Sequence, residues 1–376
     1  MSLPQFFFIS CTLPHSLFYN NVMNSRRWLH IFLTISVLLC ALVTGLVLWV
    51  DPFFQYHKPH SDSLQYTMGL YYQRYFNAGI LKNFDYDSLI IGTSLTEFYK
   101  TSETEQIFGG TFIKVPFSGA TWAEINDNIL LAEKNHELKT VIRPLDFRTF
   151  GIMDSDYKNN AYPTYLYDDN RFNDVRYIFN LETIYMCART VADTLRGHTT
   201  GITSFDDYCN WDSVEFSKKR ALAEITEFRE PDGDNHLSEE ETEQLRQNIQ
   251  ENVLKTAQLY PETTFYYYIP PYSIASWGLC RGANDLSKRF EAEELLISMS
   301  LEQENIRLFS FATHTEWTTD LNNYCDIVHY SPKMNTLILQ EMKEGTSQLT
   351  RENWKSYLEA EKEFYSSYPY NGLIGD

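Results

Sequence analysis

The longest feature of the hydrophobic pattern runs from Trp28 to Val50, WLHIFLTISVLLCALVTGLVLWV, without one Asp, Glu, Lys or Arg. About 20 apolar residues rising 1.5 Å each cover the hydrocarbon core of a bilayer. A transmembrane helix over 28–50 is therefore expected, with membrane lipid around it. Arg26 and Arg27 precede the run and Asp51-Pro52 follows it, a charge bias that directs residues 1–27 to the cytoplasm and the rest of the chain outward. A cleaved signal peptide shares the basic-then-apolar layout, but its apolar region is shorter and no A-x-A-like site closes this one. Residues 1–22 carry no evident role, and Met23 would open an ordinary anchor, which points to translation starting there.

Beyond the anchor the pattern changes. Residues 51–80 are rich in Tyr, Phe and His, as suits a juxtamembrane segment. Then YDSLIIG, TFIKVPF, KTVIRPLDF, TTFYYYIPP and IRLFSF read as buried strands, and SLTEFYKTSETEQIF, TWAEINDNILLAEKNHEL and DLSKRFEAEELLISMSLEQE as helices. Strands separated by helices need crossover connections, and these produce a parallel sheet covered on both faces. The fold class expected is α/β, a three-layer α/β/α domain over 81–345 with a C-terminal extension over 346–376. Residues 151–255 break the rhythm with aromatic and acidic sequence and helix-like pieces such as FSKKRALAEITEF and SEEETEQLRQNIQENVLKTAQ, and read as an insertion. Within it Asp232, Asp234 and Glu243 fall at calcium-loop spacing, but Leu237 stands where the loop needs Gly, and Ser238 with Glu241 reads as a capping box.

With 43% hydrophobic and 15% aromatic residues the chain can bury a large core. A formal net charge of -19 would repel phosphate backbones, which excludes nucleic acid as a natural partner. Cys187, Cys209, Cys280 and Cys325 follow the anchor; outside the cytoplasm they either pair, in one of three ways, or stay as free buried thiols. Their spacing matches no zinc pattern. His57, His60, His136, His198 and His236 have no companion at ligand spacing; His57 and His60 with Asp51 come nearest to a metal set, and surface histidines are the simpler account. No metal and no organic cofactor is implied.

Candidate chemistry begins in DSLIIGTSLTE, where a strand stops at Gly92-Thr93-Ser94. Ligands of open parallel sheets collect beyond the carboxyl ends of the strands. Ser94 there is either a helix cap or a nucleophile, and a nucleophilic serine needs a histidine base and an acid to orient it. DLNNYCDIVHYSPKMNTLILQEM supplies Asp326 and His329, three residues apart, before a helix opened by Ser331 and Pro332. Asp146, at another strand end, is either a polar cleft residue or an acceptor for its own turn. Tyr272 is either core or a stacking platform for a sugar or acyl chain, whereas Tyr266 to Tyr268 read as core. His314 is a further candidate for the cleft wall.

IIGTSLTE resembles the first block of the SGNH, or GDSL-type, hydrolases, and DIVHYSP resembles their closing D-x-x-H block. The likeness is greatest to membrane-anchored, extracytoplasmic bacterial members in which Gly-Thr-Ser or Gly-Ser-Ser replaces the GDS signature. The resemblance implies Ser94 as nucleophile, His329 as base and Asp326 as its orienter, with Gly119 of VPFSGATWAEI and Ser94 lending backbone N–H groups to an oxyanion hole. It implies an SGNH-type fold and a serine esterase or O-acyltransferase, and the tether points to a cell-envelope polysaccharide as acyl donor or acceptor. The family's G-x-N-D block falls on RPLD, with Arg143 at its glycine, Leu145 at its asparagine and Asp146 at its acid. Loss of one oxyanion donor typically costs about 100-fold to 1000-fold in rate. The alternative that this departure supports is a non-catalytic envelope protein that binds a partner through the insertion. The resemblance spans about 80–150 and 256–345.

Overall fold

The computed structural model of the chain describes residues 25–59, 64–66, 68–146, 157–158, 162–197, 204–211 and 213–374. The expected start at Met23, Cys11, His60, His198 and parts of the expected insertion lie outside these residues. The apolar run forms one helix, α1 (Ser25–Val50), long and apolar enough to cross a membrane. Its C-terminal end is not free: Val47 and Val50 are fully buried against the rest of the chain.

Helix α2 (Gln73–Asn83) leads into β1 (Ser88–Gly92), followed by α3 (Thr101–Phe108), β2 (Phe112–Pro116), α4 (Trp122–Asn135) and β3 (Thr140–Pro144). After β3 come α5 (Val175–Ile178), α6 (Leu181–Arg196) and α7 (Glu239–Ile249), the last continuing through a π turn (Gln250–Leu254). Then follow β4 (Thr264–Ile269), α8 (Ile274–Gly282), α9 (Leu286–Ser300), β5 (Ile306–Ser310), α10 (Pro332–Glu344) and α11 (Trp354–Ser367).

The five strands are parallel in the order β2-β1-β3-β4-β5. Because side chains alternate along a strand, each contributes to both faces. Leu89, Ile91, Val141, Phe265, Tyr267 and Leu308 enter one core with α2, α4, α7 and α9; Ile90, Ile142, Tyr266, Tyr268 and Phe309 enter a second core with α8, α10 and α11. Burial on both faces explains why the strands read as unbroken apolar runs. Tyr266 to Tyr268 are buried, as core reading required.

Several boundaries differ from those expected. Helix α2 belongs to the layer over the sheet, since Phe76, Ile80 and Leu81 are fully buried, so the domain begins before residue 81. The insertion ends before 239, because α7 and the π turn are the crossover that packs on α4 and α9 on the way to β4. Residues 346–376 are no appendage: Gln348 bridges Phe309 at the sheet edge, and α11 buries Leu358 and Tyr365 against α8 and α9. SLTEFYKTSETEQIF is not one helix but a single 3-10 turn (Ser94–Thr96), a break and α3. The capping box of Ser238 and Glu241 opens α7.

Candidate active site

The strand order reverses direction between β1 and β3, the point in such sheets where a crevice opens beyond the carboxyl ends. Thr93 and Ser94 follow β1, Gly119 follows β2 and Asp146 follows β3. Thr93, not Ser94, takes the capping position of the turn, its hydroxyl accepting from the N–H of Leu95 at 3.4 Å. That leaves the Ser94 hydroxyl, on a half-buried residue, for another partner.

The partner is His329, with Nε2 2.7 Å from Ser94 Oγ. On the other side of the ring, His329 Nδ1 lies 2.6 Å from Asp326 Oδ2. The loop that presents both residues is closed on itself. Tyr324 bridges Tyr330, the N–H of Cys325 donates to His329 O at 3.1 Å, and Asp326 Oδ1 accepts from the N–H groups of Val328 (2.7 Å) and His329 (2.8 Å). With one oxygen fixed by the backbone, the other faces the imidazole. Nδ1–H donating to this carboxylate makes Nε2 the acceptor for the Ser94 hydroxyl. Burial works against the charge of Asp326, but the hydrogen bond and charge of His329 and the two backbone N–H groups outweigh it and hold the carboxyl below its usual range. Ser331 stands at the start of α10 with Pro332 in the first turn, although its side chain makes no capping hydrogen bond.

Two residues that carry no sequence signal complete the surroundings of the base. Trp211, from the expected insertion, packs on the His329 ring with centroids 4.6 Å apart, and its indole N–H donates to Glu97. Glu97 is fully buried and also accepts from Gln73 Nε2 (2.7 Å) and Ser118 Oγ (2.5 Å). Glu97 reads in sequence as one more position of a helix, and an isolated tryptophan between turn residues has no periodicity. Beneath the loop the hydroxyls of Tyr99, Tyr268 and Tyr330 form a buried chain, 2.9 and 3.0 Å apart.

Gly119 adopts φ +68°, and neither its N–H nor that of Ser94 is taken by another group among the described residues. Asp146 is half-buried and accepts from Thr93 Oγ1 at 3.0 Å and from the Tyr272 hydroxyl, linking the ends of β1, β3 and β4. Tyr272 is buried, with the Arg289 guanidinium 4.9 Å over its ring, so the ring offers no platform for a ligand. His314 is not brought to the triad. Its ring nitrogens meet Ser347 (2.7 Å) and Glu316 (3.1 Å), and its face stacks on Trp317. Leu145 is fully buried in the core, and Arg143 is buried, donating to the carbonyls of Asn252 and Trp122. Neither side chain supplies an oxyanion donor.

A cavity of about 670 Å³ opens beside Asp326 and His329. Arg220, Glu224 and Arg229 line it on one side and Gly278 and Gly282 of α8 on another. The four cysteines that follow α1 are free: burial pushes the thiols of Cys187, Cys209 and Cys325 up to about 12 and that of Cys280 to about 11, which disfavours a thiolate nucleophile among them. Among the described residues no cluster of three or more His, Cys, Asp or Glu could hold a metal ion. No family model matches the chain, and no curated protein or solved structure matches it either.

Proposed function

We propose that the chain is a membrane-anchored, extracytoplasmic serine enzyme of SGNH type, an esterase or O-acyltransferase acting on an acyl ester of a cell-envelope glycan. The observation that carries this reading is the continuous chain Asp326–His329–Ser94, with links of 2.6 and 2.7 Å, at the crevice of the parallel sheet. His329 takes the proton of Ser94 as Oγ attacks the ester carbonyl, and Asp326 stabilises the imidazolium that forms. The N–H groups of Ser94 and Gly119 receive the oxyanion. The tetrahedral centre collapses with proton transfer from His329 to the departing alcohol. Water or a sugar hydroxyl, deprotonated by the same imidazole, then takes the acyl group, and His329 returns the proton to the departing Oγ of Ser94. The cavity beside the base, about 670 Å³, has the volume of a small-ligand site.

A second reading, a non-catalytic envelope protein, is favoured by one observation, the burial of Leu145 where the family's asparagine would donate. A fluorophosphonate probe separates the two. Wild-type protein is expected to label and Ser94→Ala to lose all labelling while its melting temperature is kept. Equal labelling of both proteins, or none of either, removes Ser94 from any acyl-transfer role.

A further inference from the structure

Outside α1, large apolar side chains exposed to solvent are few among the described residues, and most of them fall in one short segment. Phe172 (95% exposed), Val175, Phe179, Leu181 (82%), Tyr185 and Leu195 (83%) all lie between 172 and 195. Helix α6 is therefore apolar on two sides. Met186 and Cys187 turn inward, while Leu181, Tyr185, Ala188 and Leu195 stand at i, i+4, i+7 and i+14 on the open side. A face of this kind on an otherwise acidic protein marks a contact surface.

The position of this face identifies what covers it. Helices α5 and α6 pack directly on the outer end of α1, where Val47 and Val50 are buried. Helix α1 has 26 residues and spans about 39 Å, whereas the hydrocarbon core is about 30 Å thick. The last two turns of α1 thus reach headgroup level, and α6 lies beside them. Arg171, Arg176, Arg189 and Arg196 are exposed around the apolar residues, where their stems can lie along acyl chains while the guanidinium groups reach phosphates. We propose that segment 172–195 lies in the headgroup layer of the bilayer that holds α1, forming a second, monotopic membrane contact of the interfacial-helix kind. This inference rests on the reading of α1 as a membrane anchor.

The contact also orients the candidate site. Tyr72 donates from its hydroxyl to Glu182, in the first turn of α6, at 2.6 Å, and the adjacent Gln73 reaches Glu97 beneath Trp211. The first turn of α6 is thus tied to the carboxyl edge of the sheet, so this edge is held close to the membrane surface and the substrate ester is one presented there.

The test uses the full chain in nanodiscs containing phosphatidylglycerol, with Cys11, Cys40 and Cys280 replaced by Ala and one nitroxide label per protein. Leu181→Cys, Tyr185→Cys and Leu195→Cys report on the proposed face, Leu38→Cys on α1, and Leu259→Cys on an exposed apolar residue elsewhere. The ratio of oxygen to nickel-chelate collision rates at the three face positions is expected to exceed that at Leu259→Cys at least threefold and to approach that at Leu38→Cys. Face labels that match Leu259→Cys while Leu38→Cys reads as lipid overturn the inference and leave the anchor standing. A Leu38→Cys label that reads as water overturns the anchor and the inference with it. Dipolar broadening between face labels of neighbouring proteins would assign the face to a second copy, which also overturns the proposal.

Discussion

On the proposed mechanism Ser94 can give up its proton only while His329 keeps a free lone pair on Nε2, and the Asp326 carboxylate at Nδ1 favours this tautomer. Asp326→Asn keeps the size of the side chain but can offer its amide N–H to Nδ1, which turns the proton to Nε2 and the lone pair away from Ser94. On the proposed mechanism, kcat is expected to fall about 10³-fold to 10⁴-fold with KM little changed, as measured on a chromogenic acyl ester. The same substitution changes acid stability. The folded state holds Asp326 below its usual range, so its stabilisation is complete above the unfolded value, about 3.9, and is lost as pH falls through the lower folded value. Melting curves between pH 6 and 3 should therefore decline less steeply for the Asn variant; identical slopes would remove Asp326 as a source of acid sensitivity. Ser94, Asp326 and His329 were legible because they stand in short blocks at strand and helix boundaries. Trp211 and Glu97 were not, because their roles arise from tertiary contacts between positions 114 residues apart.

Among the elements, α2 shows how a single position sets the packing of a layer. A Cβ on Gly79 would stand 2.2 Å from the carbonyl oxygen of Phe53 and 2.5 Å from that of Phe54. The helix therefore crosses the backbone that follows α1 at a distance only glycine allows. Gly79→Ala forces α2 and this turn apart and is expected to cost about 1–3 kcal/mol in denaturant unfolding; an unchanged midpoint would mean that the turn yields freely. The strands were legible because burial on both faces leaves apolar runs of five or six residues bounded by turns. Their order depends on which crossover goes to which edge, and that is decided by long-range packing. The C-terminal helix does not read as part of the layer because its stripe, with Leu358 and Tyr365 facing inward, is interrupted by the buried Glu361. The helical piece SEEETEQLRQNIQENVLKTAQ is legible in full, but its place in the layer comes from packing on α4 and α9, which periodicity does not carry.

For the molecule as a whole, the joint between α1 and the domain decides whether the site moves freely relative to the proposed anchor or is held to it. Asp51, the residue after α1, is fully buried and accepts four hydrogen bonds from the described residues. One oxygen takes the Tyr177 hydroxyl at 2.6 Å and the N–H of Gln55 at 3.0 Å; the other takes the N–H groups of Tyr56 (2.6 Å) and His57 (3.0 Å). Tyr177 lies on α5, so the carboxylate links the end of the anchor to the segment proposed to rest on lipid. The Tyr66 hydroxyl, donating to Val50 O at 2.6 Å, closes the other side. Asp51→Ala leaves a buried hydroxyl and backbone donors without their acceptor, which should lower unfolding stability by about 2–4 kcal/mol. Asp51→Asn, with one acceptor oxygen left, should lose less. If the joint sets the orientation of the domain, Asp51→Ala in nanodiscs will also lower the lipid signal of a Leu195→Cys label without changing that of Leu38→Cys. A stable Asp51→Ala protein with both signals intact would show that the apolar contacts of Val47 and Val50 suffice to hold domain and anchor together.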